Sequence, residues 1–421
     1  MNEKKNYKWI VFVISFLMVF VCLGFCSGNK ALYLGAITEA LQIPRSLFSI
    51  NDSCRYIATA VMNLFFGTLV SKYGTRNMIA FGFATLIASH VIYATADNIL
   101  LFYLGGTLLG VGLSFTTTTM ASSVLRRWFT KDIGTYTGIV FAANGVGGAL
   151  AAQIISPIIY EEGNPFGYRK SYFLVAGILV VVGVLAVVLM REKPNESTEM
   201  KQTTEKKKTR GCVWEGLTYE RIKKKPYFYL VAVLILVTGF SLQGISGIYA
   251  AHMRDEGLST TTIARVASVS SLALTGSKIL VGILYDKIGL RKVVALCECM
   301  AVLAFLTLAF LSGNGYGVWL TLAFALLYAI ALPLETLMIP LIVNDMFGKV
   351  SYDKILGVMC AFNYAGYALG APLLNICYDV YGSYRPILFL LGIVMIPVII
   401  LFQVCINLAN KEKEKEGKED V

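Results

Sequence analysis

The sequence predicts an all-α membrane protein: twelve transmembrane helices arranged as two pseudo-symmetric halves of six. Three observations carry that prediction. Of 421 residues, 56% are hydrophobic and 15% charged, with a mean hydropathy of +0.66, whereas water-soluble domains carry about 25% charged residues. Apolar runs recur along the chain, each long enough to cross a bilayer at ~20 residues per crossing. Landmarks of the first half return in the second at nearly one spacing.

In chain order, the basic stretch Met1–Lys8 leads into an apolar run at 9–33. That run is too long for the apolar core of a secretory leader, and no small-residue cleavage site follows, so it reads as a retained span. Runs at 46–70 and 77–96 flank the turn Gly67-Thr-Leu-Val-Ser71-Lys72-Tyr-Gly74-Thr-Arg76-Asn77. Runs at 99–124, 134–159 and 168–190 complete a first half, 1–190. The stretch 191–226 is the one long polar segment, with Lys206-Lys-Lys-Thr-Arg210 and Lys223-Lys-Lys225. It reads as a cytoplasmic linker, solvated or touching lipid headgroups. Runs at 227–252, 261–285, 292–312, 317–346, 355–379 and 384–408 make the second half, 227–410. The turn Gly282-Ile-Leu-Tyr-Asp286-Lys287-Ile-Gly289-Leu-Arg291-Lys292 joins the second and third of these. The tail 411–421 alternates Lys and Glu and reads as a solvated cytoplasmic helix end.

The repeat organises these runs. The step along the chain from Gly67 to Gly282 is nearly the step from Gly138-x5-Asn144-x2-Gly147 to Gly357-x5-Asn363-x2-Gly366. Gly167-Tyr-Arg169 is answered by Gly382-Ser-Tyr-Arg385. Parallel six-helix halves of this kind build secondary transporters, with the substrate site at the midplane between them. The two glycine runs predict close packing of the fifth and eleventh helices against the eighth and second.

The charges decide orientation and exclude other classes. Lys and Arg concentrate in alternate short loops: Lys72 and Arg76; Arg126, Arg127 and Lys131; Lys287, Arg291 and Lys292; Lys349 and Lys354. This bias puts both termini in the cytoplasm of a plasma (inner) membrane protein. Because the net charge of +11 sits in such loops, it implies no nucleic acid partner. The nine cysteines are scattered; Cys297-Glu-Cys299, Cys22 and Cys26 lack zinc spacing and read as small apolar fillers. His90 and His252 form no metal cluster, and no phosphate-binding glycine-lysine loop is present, so no metal, cofactor or enzymatic activity is expected.

The turn Gly282…Asp286-Lys287-x-Gly289-x-Arg291-Lys292 resembles the signature loop of the major facilitator superfamily, with Ser71 standing in the first copy where the acid is expected. Arg127-Trp128-Phe129, the Asn144-Gly-Val-Gly147-Gly148 run after Gly138, and His252-x-x-Asp255-x-Gly257-Leu-Ser259 resemble its monocarboxylate and oxalate/formate transporter branch. The resemblance implies a monomeric transporter of small organic anions, working as a proton symporter or an anion exchanger among membrane lipids. Oxalate exchangers of that branch carry a cation in the eleventh helix; 355–379 has none, which argues for a monocarboxylate or other small organic anion.

Charges within spans are costly and mark functional sites. Lys278 lies eight residues before Asp286, roughly 12 Å into the membrane. Its place matches the eighth-helix cation that the resemblance assigns to the substrate carboxylate; the acid often found one turn earlier is Leu274 here. Arg55, roughly 14 Å from the outer face, has the fork that holds a carboxylate, with Asp52 as the neighbour that neutralises it. Lys30, at the end of the first run, resembles the first-helix lysine of the branch and reads as an outer gate. Glu335 stands between Pro333 and Pro340, roughly 16 Å from the inner end, as ion-pair partner of Lys278 or proton carrier; the prolines let the helix bend. Asn144 and Asn363 either reach substrate or bond between helices, and Tyr33, Tyr136, Tyr249 and Tyr364 are candidates for the path wall. Asp286, pairing with Arg291 and with helix ends, and Arg127 form the expected cytoplasmic latches. The rival readings are a proton-coupled cation or drug exporter using Glu335, and a sensor retaining the transporter fold.

Overall fold

The computed structural model describes residues 2–27, 29–129, 131–162, 164–190, 216–312 and 317–419. Among them the chain is built of helices, with one isolated antiparallel bridge between Gly216 and Gly348. Among the described residues, eleven helical stretches are long and apolar enough to cross a bilayer, Ile99–Trp128 counted as one, and a bent pair supplies a twelfth span.

The first half comprises α1 (Asn2–Gly24), α2 (Lys30–Ala40), α3 (Arg45–Tyr73), α4 (Thr75–Thr95), α5 (Ile99–Thr116), α6 (Thr118–Trp128), α7 (Ile133–Ile159) and α8 (Gly167–Leu189). The second comprises α9 (Tyr219–Ile222), α10 (Pro226–Asp255), α11 (Thr260–Ile288), α12 (Leu290–Ala309), α13 (Gly317–Ala331), a 3-10 turn (Leu332–Glu335), α14 (Met338–Phe347), α15 (Tyr352–Tyr381) and α16 (Arg385–Glu419). The paired turns share one backbone device. Gly74 and Gly289 occupy matching places in the two turns and hold φ of +83° and +82°, a conformation a side chain would strain.

Three expected helices are interrupted. The run 9–33 ends at Gly24; Asn29 Nδ2 donates to the Gly24 carbonyl at 3.1 Å and to the Gly148 carbonyl at 3.2 Å, satisfying a helix end. Lys30 therefore opens α2 instead of closing the first span, and its side chain lies outside the described residues. The fourth run breaks at Thr117, where the Thr116 and Thr117 hydroxyls donate back to the Gly112 and Leu113 carbonyls at 2.9 and 2.6 Å; such back-bonding bends helices. The tenth run bends by 44° between α13 and α14, because Pro333 and Pro340 lack the N–H groups that would bond the Ala329 and Thr336 carbonyls.

The outer surface is that of a membrane protein. Val181, Val184 and Val188 of α8 and Ile393, Ile396 and Ile400 of α16 are exposed at helical spacing; water would not tolerate such stripes, and lipid covers them. Inside, one apolar cluster belongs to the first half, and another runs from the second half onto α1, α6 and α7.

The halves meet along α7 against α11 and α15 against α3, as the glycine runs predicted. A Cβ at Gly138 would stand 2.5 Å from the Lys278 carbonyl oxygen, and one at Gly357 would stand 2.3 Å from that of Asn63. Only glycine lets these backbones approach so closely.

The linker segment divides. Residues 191–215 lie outside the described residues. The part 216–225 docks: Leu217 and Ile222 are buried, the Leu217 N–H donates to the Phe347 carbonyl at 3.3 Å, and the Tyr219 N–H donates to Ser351 Oγ at 2.9 Å. The expected tail 411–421 begins inside α16, where Glu412 accepts from the Tyr227 hydroxyl at 2.9 Å and pairs with Lys225.

Candidate functional site

Thr117, where α5 gives way to α6, and Glu335, the last residue of the 3-10 turn, are separated by the repeat spacing. The same place is thus interrupted in both halves, and interrupted spans at corresponding positions free backbone groups of the kind that substrate sites use. Between them lies a cavity of about 310 Å³, part of it open to solvent. Thr118, Thr119 and Ser122 of α6 and Phe141 of α7 line it from the first half; Glu335, Thr336 and residues of α14 and α15, Asn363, Tyr364 and Tyr367 among them, line it from the second.

Glu335 is 4% exposed, and its Oε2 has no hydrogen-bond partner. The bend removes the helical partner of its main-chain carbonyl. Asn363 Nδ2, at 3.0 Å, and the Tyr367 hydroxyl, at 3.4 Å, donate to that oxygen instead, from one face of α15. Asn363 thereby bonds between helices, yet its Oδ1 is left without a partner.

Lys278 is 5% exposed on α11. Its Nζ donates to the Phe141 carbonyl at 3.2 Å. It stands behind the cavity wall rather than in it, since Phe141 lines the cavity and Lys278 does not. Lys278 and Glu335 act on one another electrostatically, but among the described residues they form no direct ion pair. A buried ammonium held by one carbonyl is a high-energy arrangement that a nearby anion relieves.

Arg55 is buried elsewhere. It pairs with Asp52 at 3.1 Å, donates to Ser27, and lies 4.4 Å from the centre of the Tyr56 ring. That ring is 6.4 Å from Tyr364 and 5.6 Å from Tyr367, so tyrosines separate Arg55 from the cavity and Asp52 offsets its charge. Asn144, the repeat counterpart of Asn363, is half-buried on α7 and outside the cavity wall. Of the four tyrosines named from sequence, Tyr364 lines the cavity; Tyr33 bonds Ser171 at 2.7 Å, and Tyr136 belongs to a ring cluster with Trp9, Phe12 and Phe129.

At the end of the bundle carrying the paired turns, the halves are fastened. Asp286 accepts from the Gly134 and Thr135 N–H groups at 3.0 and 2.7 Å and from the Thr135 hydroxyl at 2.6 Å. It caps the α7 N-terminus, where free N–H groups and the helix dipole favour an anion. The expected Asp286–Arg291 pair does not form: Arg291 Nε donates to Gln403 Oε1 at 3.0 Å. Arg127 pairs with Asp353 at 2.5 Å and donates to Thr75 at 2.9 Å, while Arg126 donates to Asn344 at 2.5 Å and stacks on Tyr352.

Sequence reasoning passed over the α6 hydroxyls and Tyr367. The available signal was the Phe115-Thr-Thr-Thr-Thr119 stretch, four threonines in an apolar run at the repeat spacing from Glu335. It also passed over Glu298 on α12, which is fully buried outside this cavity with both carboxylate oxygens unpartnered.

A family model described as Major Facilitator Superfamily matches residues 9–327 and 231–421. The uncharacterized MFS-type transporter YhjX of Escherichia coli (strain K12) is 22% identical over 349 residues, covering 81% of this chain and 80% of that protein. The oxalate:formate antiporter of Oxalobacter formigenes is 20% identical over 322 residues, covering 75% and 73%, in keeping with the branch that the motifs resemble. The crystal structure of the transporter FucP in its outward conformation matches in fold, with a TM-score of 0.67 over 96% of this chain and 99% of that one at 14% identity. The chain therefore belongs to the major facilitator superfamily, and it is an integral multi-pass membrane transporter, not an enzyme.

Proposed function

We propose that this transporter moves small organic anions of the monocarboxylate kind by alternating access, as a proton symporter or an anion exchanger. The observation that carries this reading is Lys278: a buried ammonium behind the wall of the cavity between the halves, held by the Phe141 carbonyl alone and without an ion-pair partner among the described residues. Arg55 adds little net field because Asp52 offsets it. A proton on Glu335 leaves Lys278 uncompensated, and a bound carboxylate restores the balance; in low dielectric that attraction is far stronger than in water. The fastened end is then the cytoplasmic end of an inner-membrane monomer with both termini inside, as the Lys and Arg bias favours, and the state described faces outward. Lys30 remains a proposed outer gate, and Asn144 a proposed substrate contact in the alternate state.

A second reading has its own observation. Glu335, not Lys278, lines the cavity, and its Oε2 is unpartnered, which suits a proton-coupled exporter of cations or drugs. A thermal-shift screen of the purified protein with short carboxylates and with organic amines separates the two, since a ligand that binds the folded state raises its melting temperature. The anion reading expects stabilisation by carboxylates, and loss of carboxylate uptake into liposomes on Lys278→Ala. Stabilisation by amines alone, or unimpaired uptake by that variant, defeats it.

A further inference from the structure

The cavity wall holds buried acceptors that lack donors. Glu335 Oε2 and Asn363 Oδ1 have no hydrogen-bond partner, their side chains are 4% and 3% exposed, and both residues line the same cavity. The Asn363 amide is oriented by its own bond: Nδ2 gives a hydrogen to the Glu335 carbonyl, which cannot donate, so the oxygen is the atom left over. Among the neighbouring donors, Ser122 Oγ is committed to the Thr119 carbonyl at 3.0 Å, and the Tyr367 hydroxyl bonds the Glu335 carbonyl at 3.4 Å. Buried acceptors are normally satisfied, and here two, one on the α13–α14 bend and one on α15, lack donors in residues that line the same cavity.

We propose that the cargo is a hydroxylated organic acid, with two hydroxyl groups donating to Glu335 Oε2 and Asn363 Oδ1 while Lys278 offsets its carboxylate. The carboxylate part rests on the anion reading above; the hydroxyl part stands on the two acceptors. A site built to bond a substrate hydroxyl discriminates strongly against an analogue without it, because binding then buries the acceptors unmet.

Three acids on one three-carbon skeleton test this: glycerate, lactate and propionate carry two, one and no hydroxyl groups. Their affinities for the purified full-length protein are compared by thermal shift and by competition for uptake into liposomes. The expected order is glycerate, then lactate, then propionate, with at least about a tenfold gap between the first and last. In Asn363→Leu, which keeps the volume and removes the acceptor, the gap shrinks by about tenfold. A gap below tenfold in the unmodified protein overturns the hydroxyl inference while leaving the anion reading standing. Failure of all three acids to bind, with amines binding, overturns both. The comparison in the unmodified protein decides the matter even where Asn363→Leu fails to fold.

Discussion

Arg127 of α6 and Asp353 of α15 form an ion pair at 2.5 Å that ties the first half to the second. On the other side of the pseudo-symmetry axis the fastening acid is Asp286, at the end of α11, and it caps the start of α7. The first turn carries Ser71 in place of that acid, and the Ser71 hydroxyl bonds the Thr68 carbonyl of its own helix. An acid stands instead across the junction: Asp353 is in the first turn of α15, at the repeat position that answers Gly134 of α7. Each junction between a span's end and a span's start thus keeps one carboxylate.

Breaking this pair is expected to open the fastened end. The pair is partly exposed, so its contribution is about 0.5–1 kcal/mol, a two- to fivefold change in the closed population. In a protein retaining Cys360 as its sole cysteine, Arg127→Gln should raise the rate of labelling from that end by about threefold, since Cys360 lines the cavity. Exchanging the charges, Arg127→Asp with Asp353→Arg, should restore protection. An unchanged labelling rate in Arg127→Gln removes the pair from the latch.

Filling the glycine contacts should hold the halves apart. A side chain at Gly138 or Gly357 meets backbone rather than a movable side chain, and overpacking of this kind costs about 1–3 kcal/mol. Gly138→Val and Gly357→Val are expected to lengthen the distance between spin labels at positions 71 and 349 and to stop uptake. Gly177→Val is the control, because nothing lies within 4 Å of a Cβ there. Equal distances in all three variants would refute close approach as the closing contact.

Straightening the tenth span should impair turnover. Pro333→Ala returns an N–H to the Ala329 carbonyl and favours a continuous helix by up to about 3 kcal/mol. Turnover is expected to fall at least about tenfold, because the Glu335 carbonyl returns to helical bonding and releases Asn363 and Tyr367. Full-rate transport by a folded Pro333→Ala protein would show that the bend is dispensable.

Glu335→Gln tests the proton carrier. The amide keeps the size of the side chain and cannot lose a proton. Proton-driven uptake should fall at least about tenfold and lose its dependence on external pH, while exchange of cargo for cargo persists. A variant with the parent's rate and pH profile removes Glu335 from coupling.

Much of the fold was legible because a bilayer imposes simple demands on sequence. Length and hydropathy located the spans, and the repeated turns paired them; Gly74 and Gly289 show why the turns repeat, since both positions hold φ of +83° and +82°. The interruptions were harder to see. Proline marked the bend near Glu335, but the break at Thr117 depends on hydroxyls turning back onto their own helix, a choice that threonine in an apolar run does not announce. The first run concealed its end at Gly24 because the Asn29 cap that satisfies it also reaches Gly148, on α7.

By itself the sequence determined that this chain spans a membrane, that it does so in two matched halves, and that Lys278, Arg55 and Glu335 lie within spanning runs. Membership of an apolar run is a property of the chain alone; burial of these three between helices was decided by the packing. Partnership was decided by the tertiary structure: Arg55 with Asp52, Arg291 with Gln403 rather than Asp286, Arg127 with Asp353, and Lys278 with the Phe141 carbonyl behind the cavity wall. Coulomb and hydrogen-bond energies fall steeply over a few ångströms, and spacing along a helix does not set distances between helices to that precision. That is why four charged candidates could be found in the sequence, and why only the packed bundle separated Glu335, which lines the cavity, from Lys278 and Arg55, which stand outside it.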